Sequence, residues 1–109
     1  MARDEGLEEL LRDHLGGTPG LTEQPMFGGR VWLLDGNLLC GARDDGALFR
    51  LGPDNDQWAL ELDGVVPMLS RGRVMKGWVR VASEALGDDA LARRLIGAAF
   101  SFVRSLPRK

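Results

Sequence analysis

What this chain has little of narrows its chemistry first. A single cysteine, Cys40, in 109 residues excludes an intrachain disulfide and any paired-cysteine metal site. It also fits a reducing, cytoplasmic compartment. A single histidine, His14, has no recognisable partner, so no Ser/His/Asp or Cys/His arrangement can be assembled around it. Clustered metal ligands are missing as well. No stretch approaches the roughly eighteen consecutive apolar residues of a membrane span. The opening Met1-Ala2-Arg3-Asp4-Glu5 is charged and lacks the apolar core of a signal peptide behind it. Charge of one sign is scarce too: fourteen cations against sixteen carboxylates leave −2, no footprint for general nucleic-acid binding. Gly28-Gly29 does not open a helix after a buried strand, as a phosphate-binding loop requires. These absences favour a non-enzymatic protein that needs no cofactor.

What is present describes one ordinary globular domain. The hydrophobic fraction is 44% and the charged fraction 28%, close to soluble averages. A chain of this length supports one core, so residues 1–109 are read as a single domain.

Leu7, Leu10, Leu11 and Leu15 recur at helical spacing, with Asp4 and Glu5 at the N-terminal end and Gly16-Gly17 as the stop. Leu21 to Phe27 reads as an extended edge segment, because Pro25 cannot donate within a central strand. Arg30–Leu34, Asn37–Ala42 and Ala47–Leu51 form a three-stranded meander through the turns Asp35-Gly36 and Asp44-Asp45-Gly46. Alternation places Leu48 and Arg50 on one face and Ala47, Phe49 and Leu51 on the other. Pro53 and the acids after it start a short helix through Leu60 or Leu62, with Trp58 and Leu62 sharing its buried side.

Val65–Leu69 and Val74–Ala82 are two further strands joined through Ser70-Arg71-Gly72-Arg73. In the second, Met75, Gly77, Val79 and Val81 are assigned to the covered side, opposite Lys76, Trp78, Arg80 and Ala82. A last helix carries Leu91, Leu95, Ala98, Ala99, Phe102, Val103 and Leu106 as one stripe, with Asp88 or Asp89 at its start. Gly97 within it suggests a close contact. The order is α-β-β-β-α-β-β-α, an α+β fold of two layers with helices on one face of an antiparallel sheet.

Two stretches organise the chain: Met26-Phe27-Gly28-Gly29-Arg30, and Arg71-Gly72-Arg73-Val74-Met75-Lys76-Gly77-Trp78. Bare backbone beside bulky residues in a strand marks a bend, a bulge or close approach of another backbone. Together with the Asp35-Gly36 hairpin, the short helix after Pro53 and the closing helix, they resemble the TfoX/Sxy N-terminal domain, from about Leu7 to Leu106. The resemblance implies an α+β fold similar to the secretion-chaperone architecture. It also implies kinship with regulators of natural competence that act with the cyclic-AMP receptor protein and carry a second, C-terminal domain. The sequence ends at Lys109, so a stand-alone domain is expected. The family supplies no catalytic residues to transfer.

Gly28, Gly29, Arg71, Arg73 and Lys76 are the candidate anion or partner site, since bare backbone N–H groups and arginine both bind anions. The plain alternative is a solvated hairpin whose charges discourage edge association. His14 is read as complementing its helix dipole, and Cys40 as a small buried hydrophobe. The three tryptophans are read as core, one of them partly exposed. The leading functional reading is a protein-binding regulatory module, a homodimer with a protein partner in transcription regulation and no membrane. Small-anion or nucleic-acid binding through Arg71, Arg73 and Lys76 is the alternative, though net charge argues against direct nucleic-acid contact. An enzyme comes last.

Overall fold

In the computed structural model residues 4–26 and 28–108 are described. Phe27, central to one of the two organising stretches, lies outside them, as do residues 1–3 and Lys109. The elements are α1 (Glu5–Leu15), β1 (Leu21–Met26), β2 (Gly29–Leu34), β3 (Asn37–Arg43), β4 (Gly46–Arg50), α2 (Gln57–Leu60), β5 (Val65–Ser70), β6 (Arg73–Val81), a 3₁₀ turn (Ser83–Gly87) and α3 (Asp89–Arg104). The fold is α+β as expected, with the segment Leu21–Met26 fully paired as a fourth strand ahead of α2. The sheet is antiparallel in the order β1-β2-β3-β4-β6-β5. No helix among the described residues is long and apolar enough to cross a membrane.

Helix ends and turns follow their local chemistry. Asp4 caps α1 by accepting from the Leu7 N–H at 3.0 Å, and Asp88 caps α3 by accepting from Ala90 and Leu91 at 3.1 and 3.3 Å. Asp35 and Gly36 have φ of 51° and 84°, and Arg71 and Gly72 have 52° and 79°. Positive φ at both central residues is the two-residue hairpin turn that matches strand twist.

All three helices and the 3₁₀ turn pack on one face of the sheet. Leu7, Leu11 and Leu15 of α1, Leu86, and Ala92, Leu95, Ile96, Ala99 and Val103 of α3 meet Trp32, Leu34, Cys40, Ala47, Phe49, Leu51, Val79 and Val81 in one buried cluster. In α3 the expected Leu95, Ala99 and Val103 are buried together with Ala92 and Ile96, Leu91, Ala98 and Phe102 pack partly buried against the core, and Leu106 lies past the helix end. Gly97 is exposed with nothing within 4 Å of where its Cβ would be, so the expected close contact is not there. On the opposite face Val31, Leu48 and Met68 are also buried, outside the helix-side cluster.

Both sheet edges are blunted. Ala82 donates to the Gly64 carbonyl at 2.8 Å, so alternation turns the N–H positions of Val65 and Pro67 away from β6. Val65 donates to Leu62 at 3.3 Å, and Pro67 has no N–H to offer. On β1, Asp35 donates to Gly20 at 3.0 Å, which turns Leu21, Glu23 and Pro25 outward. Leu21 donates to Thr18 at 3.3 Å, and Pro25 lacks the donor. Each free edge thus offers little for another strand to pair with.

Candidate functional site

The five residues singled out in the sequence separate in space. Gly28 lies in the β1–β2 turn and Gly29 begins β2, while Arg71, Arg73 and Lys76 lie on the β5–β6 hairpin, with β3 and β4 between these margins in the sheet order. Both glycines have backbone reasons for being there. Gly28 has φ of 77°, and a Cβ on Gly29 would collide with the Ala42 carbonyl.

The hairpin is shaped by Gly77. In the β5–β6 register Pro67 faces Val79 but Leu69 faces Val74, so β6 carries extra residues between these pairs. Gly77, at the centre of that bulge, has φ of 87° and runs against the loop after β4; a Cβ there would lie 2.6 Å from Gly52 C and Pro53 N. Its carbonyl accepts from Leu51 at 2.7 Å and Gly52 at 3.1 Å, and its N–H donates to Asp56 Oδ2 at 3.2 Å. Asp56 therefore gives α2 no side-chain cap, and α2 is a single turn, shorter than the sequence suggests.

The bulge also resets which side chains share a face. Simple alternation puts Met75 opposite Trp78, yet both line one pocket of about 140 Å³ with Leu38, Arg43 and Met68, on the sheet face away from the helices. Next to it Val66, Leu69 and Val74 are 42%, 59% and 59% exposed. Two tryptophans, Trp58 and Trp78, are partly buried where one was expected, and Trp32 is core.

The cations divide into two kinds. Arg12 and Arg30 pair with Glu23, Arg43 and Arg80 with Asp45, Arg93 with Asp89, and Arg108 with Asp35. Arg50 lies over Trp78 and Phe102, Arg94 over Trp58 and Arg104 over Phe100. Among the described residues only Arg71, Arg73 and Lys76 have neither a carboxylate nor a ring, and all three are on this hairpin.

The other titratable groups have structural roles. His14 Nε2 is 3.5 Å from Asp89 Oδ1, tying the end of α1 to the start of α3 beside an open cleft lined by Leu10, Asp13, Leu86 and Arg93. Cys40 is buried beneath the helices, and desolvation pushes its thiol pKa far up, which leaves it an inert hydrophobe. No group of three or more potential metal ligands occurs among the described residues.

No curated protein and no solved structure matches the chain. A family model does: the TfoX N-terminal domain matches residues 13–103, from the end of α1 through nearly all of α3 and including the whole sheet. The bulged β6 with its glycine, the paired β1 and the closing helix all lie within that match, and this chain belongs to the TfoX N-terminal domain family.

Proposed function

We propose that this chain is a protein-binding regulatory module without a catalytic centre, cytoplasmic and homodimeric, that engages its partner through the β5–β6 hairpin. The observation that carries this reading is that, among the described residues, the exposed large hydrophobics Val66, Leu69 and Val74 all lie on that one hairpin. Exposed aliphatic side chains gathered in one place, on a domain with a well-filled core elsewhere, mark a contact surface. The family's competence regulators suggest a partner in transcription regulation. The blunted edges support a dimer contact through a face of the domain over one through the strand margins.

A second reading, anion or nucleic-acid binding by Arg71, Arg73 and Lys76, draws on their lack of carboxylate partners. Affinity capture of the tagged chain from its own cell extract, split into nuclease-treated and untreated halves, separates the two. A stoichiometric protein that survives nuclease is the expected result; loss of all protein capture with nuclease overturns the first reading in favour of the second. Light scattering over a wide concentration range checks the dimer, and a strictly monomeric chain removes that part.

A further inference from the structure

We infer that the β5–β6 hairpin takes a partner segment that is acidic and carries a bulky apolar side chain, held by side-chain contacts and not by strand addition. The inference rests on the protein-binding reading above and adds what the partner segment is made of and how the hairpin holds it.

Three independent features converge on the hairpin. The first is charge. Residues 65–82 hold four cations and no carboxylate, in a chain whose first 64 residues hold thirteen carboxylates and five cations. Of the four, Arg80 is occupied by Asp45 at 3.1 Å, while Arg71, Arg73 and Lys76 are exposed and unengaged among the described residues. Every other arginine among the described residues is given an acid or a ring. Three cations left free on one hairpin, Arg71 in its turn and Arg73 and Lys76 on β6, therefore await carboxylates from outside.

The second is shape. The pocket of about 140 Å³ beneath the hairpin is lined by Leu38, Met68, Met75 and Trp78, with Arg43 at its margin. Its size suits a single apolar side chain, and methionine and tryptophan supply a deformable, polarisable lining. Leu69 also lines it, and Val74 is the exposed cross-strand partner of Leu69. An apolar anchor in a recess with charged groups around it is the arrangement that concentrates binding energy in protein contacts.

The third is the edge. Pro67 removes the N–H that an added strand would need, and Val65 already donates to Leu62. Main-chain augmentation is thereby disfavoured, and recognition falls to side chains. Duplex nucleic acid and an anionic bilayer would also meet the cations. Neither has an apolar side chain to fill the pocket.

The test is selection of an unbiased displayed peptide library on the full chain, followed by fluorescence titration of the enriched peptides and amide chemical-shift mapping. The expected result is a consensus with acidic residues flanking a large apolar one. Its binding should weaken with salt, shift residues 66–78, and fall about tenfold or more in Arg71→Glu/Arg73→Glu/Lys76→Glu. Leu69→Ser/Val74→Ser, which leaves every charge in place, should weaken it as well; thermal unfolding of both variants checks the fold.

Failure to enrich any peptide overturns the inference, as does a consensus without acids or shifts confined to other elements. So does a DNA duplex or a phosphatidylserine vesicle that binds the wild-type chain more tightly than the selected peptides. If a nuclease-resistant cellular partner is captured equally by wild type and by the charge-reversed chain, the protein-binding reading stands and the hairpin assignment falls.

Discussion

Gly72 and Gly77 have nearly the same backbone conformation, φ of 79° and 87°, in opposite surroundings. Around Gly72 the space is open, so Gly72→Ala bears only the left-handed strain, about 1 kcal/mol. At Gly77 a methyl would be driven into the Gly52–Pro53 backbone, which has no flexible end to move aside. Gly77→Ala should therefore cost roughly 3 kcal/mol or more. Denaturant unfolding of the two variants side by side measures the difference; equal losses would mean that the bulge is not held against the loop. Glu23 makes the second residue-level case. It accepts from Arg12 Nη2 at 2.7 Å and Nε at 3.0 Å, with Arg30 Nε at 3.4 Å. The Arg12 hydrogen bond holds its carboxyl below the ordinary glutamate range, against a smaller opposing effect of burial. The unfolded chain then takes up this proton at higher pH than the folded one. The pair's contribution is complete above the unfolded glutamate pKa of about 4.3 and fades as pH falls through the lower folded value. Glu23→Gln should lessen the acid-side loss of thermal stability, read as a flatter Tm profile below about pH 5.

At the scale of elements, most of the sheet was legible because its turns speak locally. Asp35-Gly36 fixes β2–β3 and Arg71-Gly72 fixes β5–β6, each with positive φ at both positions. What escaped the sequence are places where a distant backbone decides. Asp56, one of the acids after Pro53, sits at the N-cap of α2 but its side chain serves the Gly77 N–H. Met75 and Trp78 look opposed but share a pocket, because the bulge inserts residues that simple alternation does not count. The candidate site was half legible for the same reason: its cations are a run in one hairpin, whereas Leu38 and Arg43 reach the pocket from β3 by folding alone. Gly97 was the reverse, a residue that invites a tertiary explanation and has none. It sits exposed in the middle of α3 with open space around it. Gly97→Ala should stabilise the domain by about 1 kcal/mol, since only the entropic cost of glycine is removed. A loss of stability on thermal or denaturant unfolding would reveal a contact at that surface.

Over the whole molecule, one division of labour separates the charges that hold the domain together from those available to a partner. Arg80 bridges to Asp45 at the β3–β4 turn, and Arg50 and Arg94 cover aromatic rings, so each contributes to the folded state. Arg71, Arg73 and Lys76 make no such contact among the described residues and project from an exposed hairpin. Neutralising all three, as Arg71→Gln/Arg73→Gln/Lys76→Gln, should leave unfolding stability within about 0.5 kcal/mol of wild type. Arg80→Gln, a single exposed change, should by contrast lose up to about 1 kcal/mol because it leaves Asp45 with only Arg43 as partner. The comparison is made by urea unfolding of both variants at moderate salt. A triple variant that proved the less stable of the two would mean that these cations serve the fold. The agreement of their charge with the exposed Leu69 and Val74 would then be a feature of hairpin solubility and not of recognition. A triple variant as stable as wild type leaves the three cations without a structural role. Their presence on an acid-free hairpin is then accounted for by something outside the chain.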